Sequence, residues 1–212
     1  MLTLYNYNRS SASFRVRIAL YLKGLDFQDI PIHLLNQGGE QFSPSYQAIN
    51  PQSLVPTLIE NDNIIAQSLA IIEYLDDLYP TPPLLPSDPY QKACIRACAL
   101  NIIADIHPLN NLRVLQYLTR ELGLSEEQKQ QWYHHWIATG LSALEKKLSS
   151  SPTTGDYCFG NVPTLADICL VPQLYNARRY QCDLTPYPTL VKIDAHCQKA
   201  PAFIKAWPHD IS

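Results

Sequence analysis

Residues 79 to 89 read Tyr-Pro-Thr-Pro-Pro-Leu-Leu-Pro-Ser-Asp-Pro and carry five prolines. Each proline fixes φ near −65° and lacks a backbone N–H, so neither a helix interior nor a central strand can pass through this stretch. The segment reads as a stiff, extended linker. Structure on either side must therefore form as a separate block. The boundaries that follow are a first domain over 1–80, a linker over 81–89 and a second domain over 90–212. With 212 residues, 46% of them hydrophobic, the chain is long enough to give each block a core.

Strand and helix signals alternate before the linker. Leu2–Tyr7 reads as a strand. Ser11–Lys23 reads as a helix on the spacing of Val16, Ile18, Ala19, Leu20 and Leu22, with Gly24 as its stop. Phe27–Leu34 reads as a second strand. "TLIE" and "NIIA" flank Asn61-Asp62 as a hairpin over 57–60 and 63–66, and Ser68–Leu78 closes the block as a helix. The order is β-α-β, a less regular stretch, then β-β-α. Beyond the linker only helix signals stand out. Tyr90–Leu118 is one kinked helix or a pair, since Pro108 interrupts it. Ser125–Leu148 is amphipathic, Thr164–Ala177 is apolar almost all round and so suits a central buried helix, and a last helix covers about 188–199.

Composition removes several functions. The net charge is −3 and no basic block stands out, which argues against nucleic acid as a partner. No apolar run is long enough for a membrane span, and the first residues, "MLTLYNYNRS", lack a charged leader followed by a long apolar region, so a cytoplasmic protein is expected. The six cysteines, at 94, 98, 158, 169, 182 and 197, form no CxxC pair and read as reduced thiols packed as small hydrophobes; no metal site is expected.

Four stretches carry chemistry. "NRSSASFRVRIAL" places three serines and Arg9 where a strand hands over to a helix, which suits either capping or an anion. In "VPTL", a cis Val55–Pro56 bond would turn the Val55 backbone outward toward a ligand; a trans proline at a strand start is the plain alternative. In "QSLAIIEYL", Ser68 can cap a helix, and its hydroxyl with the first free N–H groups also makes a carboxylate site. Thr164-x-x-Asp167 in "PTLADI" is a capping-box pattern, read as structural. His134 and His135 lie in a charged, glutamine-rich helix and read as a solvated face, and Trp132 and Trp136 as core or a packing seam.

A βαβ-ββα block with "VPTL" and "QS", a proline-rich linker and an all-helical block with "TLAD" resembles the cytosolic glutathione transferases. "RSSASFRVRIAL", "NPQSLVPTL", "QSLAIIEYLDDLYPTPPLLP" and "DLTPYPT" are similar to the zeta class, whose best-known activity is maleylacetoacetate isomerisation. The likeness runs through nearly the whole chain. It implies an α/β thioredoxin-like N-terminal domain, an all-α C-terminal domain that supplies the substrate site, glutathione as cofactor and a homodimer. Carried over by motif, Ser10 faces the glutathione sulfur, and Ser11, Ser13 and Arg15 belong to the same loop and helix start. Val55 pairs its backbone with the cysteinyl unit, and Gln67 and Ser68 hold the γ-glutamyl carboxylate. Gln41 in "GGEQFS" and Asn111 in "HPLNNL" match ligand contacts, and His107 stands where the family often has glutamine. Arg179 in "NARRY" matches an arginine that meets the substrate carboxylate. Arg178 reads as solvated, and Arg9 as a second substrate cation or a plain surface charge. Position 12 departs from the class: it is Ala where the zeta pattern has Cys.

The resemblance implies reversible addition of a thiolate to a conjugated double bond in a diketo dicarboxylate, as in phenylalanine and tyrosine breakdown. The bound thiol must then ionise near pH 7. A helix N-terminus contributes about 0.3–1 kcal/mol and a hydrogen bond to a charged acceptor about 1.5–3 kcal/mol, so the Ser10 hydroxyl is the larger effect. Two alternatives keep the same site: a broader transferase acting on α-halo acids, prompted by Ala12, and a glutathione-binding module without catalysis.

Overall fold

β1 (Leu2–Asn6) is the strand on which the N-terminal sheet is assembled. Leu2, Leu4 and Asn6 alternate inward and are buried, as a period of two requires. In the computed structural model, which describes residues 1–209, β1 pairs in parallel with β2 (Phe27–Pro31) and antiparallel with β3 (Thr57–Glu60). β4 (Asn63–Ala66) completes a sheet of order β2-β1-β3-β4. The β3–β4 turn places Asn61 at φ 54°, a left-handed conformation that asparagine tolerates. β2 is three residues shorter than the sequence pattern suggests; it ends at Pro31, which has no N–H to extend a ladder.

α1 (Ser11–Leu22) is buried on almost every side, Arg15 and Arg17 included. It packs against α3 (Ser68–Leu78) and against α9 (Pro201–Ala206), a short helix not foreseen from the sequence. The sequence grouped residues 90–212 together, whereas the first compact unit combines Met1–Leu84 with the segment that begins at Ala200. Arg17 Nε donates to the Ala206 carbonyl at 3.1 Å, and Phe14 meets Trp207 edge to face at 5.5 Å. α2 (Pro44–Ile49) occupies the stretch read as irregular, capped by Ser43, whose Oγ accepts from the Tyr46 N–H. The start of the proline-rich segment is tied down: the Lys23 ammonium bonds Asp76 and donates to the carbonyls of Tyr79 and Pro82, each at 2.6 Å. All three ammonium protons are thereby used, which suits a lysine this deeply buried.

The second unit, Leu85–Lys199, is helical. α4 (Pro89–Leu100) starts with Asp88 as cap and proline at its first position. It runs into a π-helical stretch, Asn101–Ile106, and the chain breaks at Pro108 before α5 (Leu112–Arg120). α6 (Glu126–Ser149) begins with a Ser125/Gln128 capping box, and its buried stripe is Tyr133, Ile137, Gly140, Leu141, Leu144 and Leu148. Trp132 and Trp136 flank that stripe, in edge contact at 5.7 Å, with the Trp132 indole N–H donating to the Leu109 carbonyl at 2.9 Å. Gly140 is required where α6 meets the π-helical stretch: a Cβ there would stand 2.2 Å from Ile106 Cγ1. α7 (Leu165–Arg179) is the buried centre, and α8 (Pro188–Cys197) packs on both α6 and α7. The Thr164/Asp167 box forms as the pattern requires. The buried Asp167 carboxylate accepts from the N–H groups of Cys158 and Thr164, each at 2.8 Å, which makes it structural.

Candidate active site

The opening loop answers the capping question for each serine separately. Ser10 is the N-cap of α1, and its Oγ accepts from the Ser13 N–H at 3.3 Å. A hydroxyl that accepts in this way keeps its proton for another acceptor. Ser10 is half-exposed, whereas Ser11 is 3% and Ser13 0% exposed. Ser13 faces inward, its Oγ accepting from the Tyr7 N–H. Ser10 is thus the serine of the cluster whose side chain reaches the surface. The loop before it is fixed by Arg17, which the sequence did not single out: its guanidinium donates to Asn6 Oδ1 at 2.7 Å and to the Asn8 carbonyl at 3.0 Å. Arg9 is exposed, and Ala12 is packed into the core at 8% exposure.

The second anion-seeking feature is the start of α3. Ser68, expected as a cap, is instead the first helical residue; the cap is Gln67, whose side chain makes no capping bond. The first N–H groups of α3 are therefore not capped by the Gln67 side chain. Arg15, completely buried, reaches this turn from α1 and donates to Ser68 Oγ at 3.3 Å. A guanidinium beneath a helix N-terminus makes that end more attractive to a carboxylate. Gln67 sits at φ 73°, a left-handed conformation costly for a residue with a Cβ and characteristic of ligand-holding positions. Its amide donates to Gln52 Oε1 at 2.9 Å, a partner missed at the sequence level although it lies in the "NPQSLVPTL" stretch.

The third feature is Val55. The Val55–Pro56 bond is cis, and β3 begins at Thr57, so Val55 lies outside the ladder. α2 holds this point: Tyr46 Oη and Asn50 Nδ2 both donate to the Leu54 carbonyl, at 2.6 and 2.9 Å. Gln41 is buried, donating weakly to the Leu34 carbonyl at 3.4 Å, while its Oε1 is buried with no partner. An orphaned buried acceptor, an uncapped helix start and a backbone amide outside its sheet are the complement a small peptide with a carboxylate would meet, so the residues present fit glutathione.

The remaining expected residues belong to the second unit. His107 closes the π-helical stretch, its N–H donating to the Ile102 carbonyl at 2.8 Å. Asn111 is the N-cap of α5, its Oδ1 accepting from the Arg113 N–H at 3.2 Å. Arg179 is the exposed last residue of α7 and lies over the Tyr180 ring, 5.2 Å from its centroid. Arg178 is exposed, as expected, and in addition pairs with the buried Asp194 at 2.6 Å. His134 differs from expectation: its Nε2 meets the Tyr180 carbonyl at 2.8 Å, while His135 is exposed. Burial pushes the Cys158, Cys182 and Cys197 thiols up, Cys182 to about 11, so these three remain protonated at neutrality. Among the described residues no cluster of three or more His, Cys, Asp or Glu could hold a metal ion, and no helix is long and apolar enough to cross a membrane.

Residues 4–83 match the family described as glutathione S-transferase, N-terminal domain, and residues 127–208 match glutathione S-transferase, C-terminal domain. The chain is 50% identical over 209 residues to a probable maleylacetoacetate isomerase of Vibrio cholerae, covering 99% of this chain and 96% of that one. Among solved structures it is similar to a holo maleylpyruvate isomerase described as a bacterial zeta-class glutathione S-transferase, with a TM-score of 0.95 and 44% identity over 99% of both chains. It also resembles a maleylacetoacetate isomerase of Methylobacterium extorquens AM1 with bound malonate and glutathione, with a TM-score of 0.93 and 36% identity over 97% of this chain and 96% of that one.

Proposed function

The chain belongs to the glutathione S-transferase family, in its zeta class, and from that premise we propose that it is a glutathione-dependent isomerase converting maleylacetoacetate to fumarylacetoacetate. The observation that carries this reading is the half-exposed Ser10 hydroxyl at the N-terminus of α1, in a unit that also presents the uncapped start of α3. Bound glutathione supplies a thiolate that adds to and then leaves a conjugated double bond, which is single and free to rotate in between. The chain's own residues make that thiol acidic and hold the reactants. Ser10 Oγ–H donates to the sulfur while its lone pair caps α1, and the helix end adds a smaller attraction of the same sign. A hydroxyl is far too weak a base to take the proton, so Ser10 acts by stabilising the anion.

The α-amino acid carboxylate of the cofactor belongs at Ser68 and the first turn of α3, with Gln67 beside it and Arg15 beneath. Val55 offers its backbone, and Gln41 its amide oxygen to an N–H donor. Ser11 and Ser13 contribute through the helix start rather than through exposed hydroxyls. Arg179 is assigned to a substrate carboxylate, and Arg9, His107 and Asn111 to further ligand contacts. A cytoplasmic homodimer acting in phenylalanine and tyrosine breakdown completes the proposal.

Turnover of maleylacetoacetate or maleylpyruvate, followed with and without glutathione, tests the reading; absence of glutathione-dependent isomerisation would end it. Ala12 favours one second reading, a transferase acting on α-halo acids, because the class's cysteine is missing. A kcat/KM for a halo acid above that for the isomerase substrates would select it. Failure to bind glutathione at all would exclude both.

A further inference from the structure

Given the proposed role of Gln41 as a glutathione contact, we infer that His33 is its positioning residue: a ring nitrogen of His33 fixes the loop between β2 and α2 that holds the Gln41 amide ready for the cofactor. His33 stands just past the end of β2, where the Ile32 N–H donates to the Asn6 carbonyl at 2.8 Å. From there the chain makes two 3-10 turns, Asn36–Gly38 and Glu40–Phe42, before α2 begins.

The backbone of His33 closes the neck of this loop. Its N–H donates to Glu40 Oε2 at 2.6 Å, and its carbonyl accepts from the Glu40 N–H at 2.9 Å. The ring acts further in. Nδ1 accepts from the Leu35 N–H at 3.2 Å and from the Asn36 N–H at 3.0 Å. A backbone N–H can only donate, so Nδ1 is unprotonated and the ring carries its proton on Nε2. Asparagine and aspartate side chains make the same bonds in an Asx turn. Among the described residues, the titratable side chains that meet His33 are Glu40 and Tyr7, the latter edge-on to the ring at 5.1 Å.

Gln41 depends on the backbone fixed in this way. It is 6% exposed, and its Nε2 reaches the Leu34 carbonyl at 3.4 Å. That carbonyl and the Leu35 N–H are the two ends of one planar peptide unit, so holding the N–H aims the carbonyl. Gly39, at φ 113°, closes on the amide from another direction: a Cβ there would stand 2.6 Å from Gln41 Nε2. Oε1 is left buried and without a partner, as an acceptor for a cofactor N–H. Ordering the amide in advance removes a cost otherwise met on binding. A protonated ring would turn Nδ1 from acceptor to donor, facing two donors. Cofactor affinity should therefore fall as pH drops through the interval in which histidines gain charge.

The test is calorimetric titration of S-methylglutathione, whose capped sulfur removes thiol ionisation from the pH profile, with thermal melts in parallel. At about pH 7.5, Gln41→Ala should weaken binding roughly two- to tenfold, the range of one neutral hydrogen bond. No change there would remove the cofactor role of Gln41, and the inference with it. With Gln41 established, His33→Ala should weaken binding by no more than Gln41→Ala does, and should add less than about twofold in a Gln41→Ala background, because it acts through that amide. His33→Asn, which keeps an acceptor that does not titrate, should bind within about twofold of wild type. Between about pH 7.5 and about pH 5.5 wild type should lose affinity roughly threefold or more, while His33→Asn stays flat. Wild-type affinity in His33→Ala, additive losses in the double variant, failure of His33→Asn to restore binding, or a His33→Asn pH profile parallel to wild type would each overturn the positioning role while leaving the function of Gln41 intact.

Discussion

Replacing Ser10 by Ala separates two roles that one oxygen combines. The cap bond from the Ser13 N–H is 3.3 Å long, beyond the usual 2.7–3.2 Å range, so it lies at the weak end of capping energies, about 0.5 kcal/mol. In a chain of 212 residues that loss lowers Tm by only about 1–2 °C. The bond to a thiolate is the larger loss, about 1.5–3 kcal/mol, or roughly one to two pK units. An unassisted thiol ionises near 8.5, and the α1 terminus alone lowers that by well under one unit. The thiol of glutathione bound to Ser10→Ala should therefore titrate about one to two units above the wild-type complex, while thermal unfolding barely moves. Ser10→Asp extends the same pattern: it keeps a cap acceptor, so stability holds, and its charge drives the thiol pKa higher still. Thiolate ultraviolet absorbance against pH, with thermal melts in parallel, reads both quantities. A bound-thiol pKa in Ser10→Ala equal to wild type would refute the reasoning, as would an unshifted pKa in Ser10→Asp.

Other substitutions probe features further from the sulfur. Ser68→Ala should raise the glutathione Kd roughly tenfold or more, as expected for a hydrogen bond to a carboxylate, with halo acid and isomerase substrates affected alike; equilibrium binding measures it. Gly140→Ala should lower urea stability by about 1–3 kcal/mol despite alanine's better helix propensity, because the added methyl meets Ile106 Cγ1 at 2.2 Å. With its thiol pushed up to about 11 by burial, Cys182 should alkylate near pH 8 on the order of a hundredfold more slowly than an exposed cysteine, as read by peptide mapping. Burial raises the Asp194 carboxyl although Arg178 pulls the other way. A raised folded pKa gives stability that is full below about pH 4 and is lost as pH rises through the folded value. Wild type should consequently lose stability relative to Asp194→Asn over that window, and a flat difference in urea midpoints across pH would contradict it.

Features set by neighbouring residues could be read from the chain; features set by distant packing could not. The β3–β4 hairpin and α3 lie where the alternating pattern, the Asn61-Asp62 turn and the "QS" boundary place them, because each depends on a few adjacent residues. The Thr164/Asp167 box is equally local. α2 and α9 have six residues each, too few for a helical period to show, and they persist through tertiary bonds such as Tyr46 to the Leu54 carbonyl and Arg17 to that of Ala206. β2 ends at Pro31, where its pairing with β1 stops, short of the strand expected to reach Leu34. At the site, a cap within the serine cluster was legible because capping is a local device, whereas the choice of Ser10 came from the resemblance. The burial of Arg15 beneath Ser68, and the passing of the α3 cap from Ser68 to Gln67, depend on how two helices meet. The stacked pair Tyr133 and Tyr180, far apart in the chain, left no signal in either stretch.

The return of α9 to α1 bears on how the polypeptide matures on the ribosome. Arg17 and Phe14 find Ala206 and Trp207 only after every residue from 85 to 199 has been translated, an interval on the order of ten seconds at common elongation rates. The nascent N-terminal half must wait through that interval with an apolar helix face bare. It is during this delay, more than in the finished molecule, that a holdase chaperone would find something to grip.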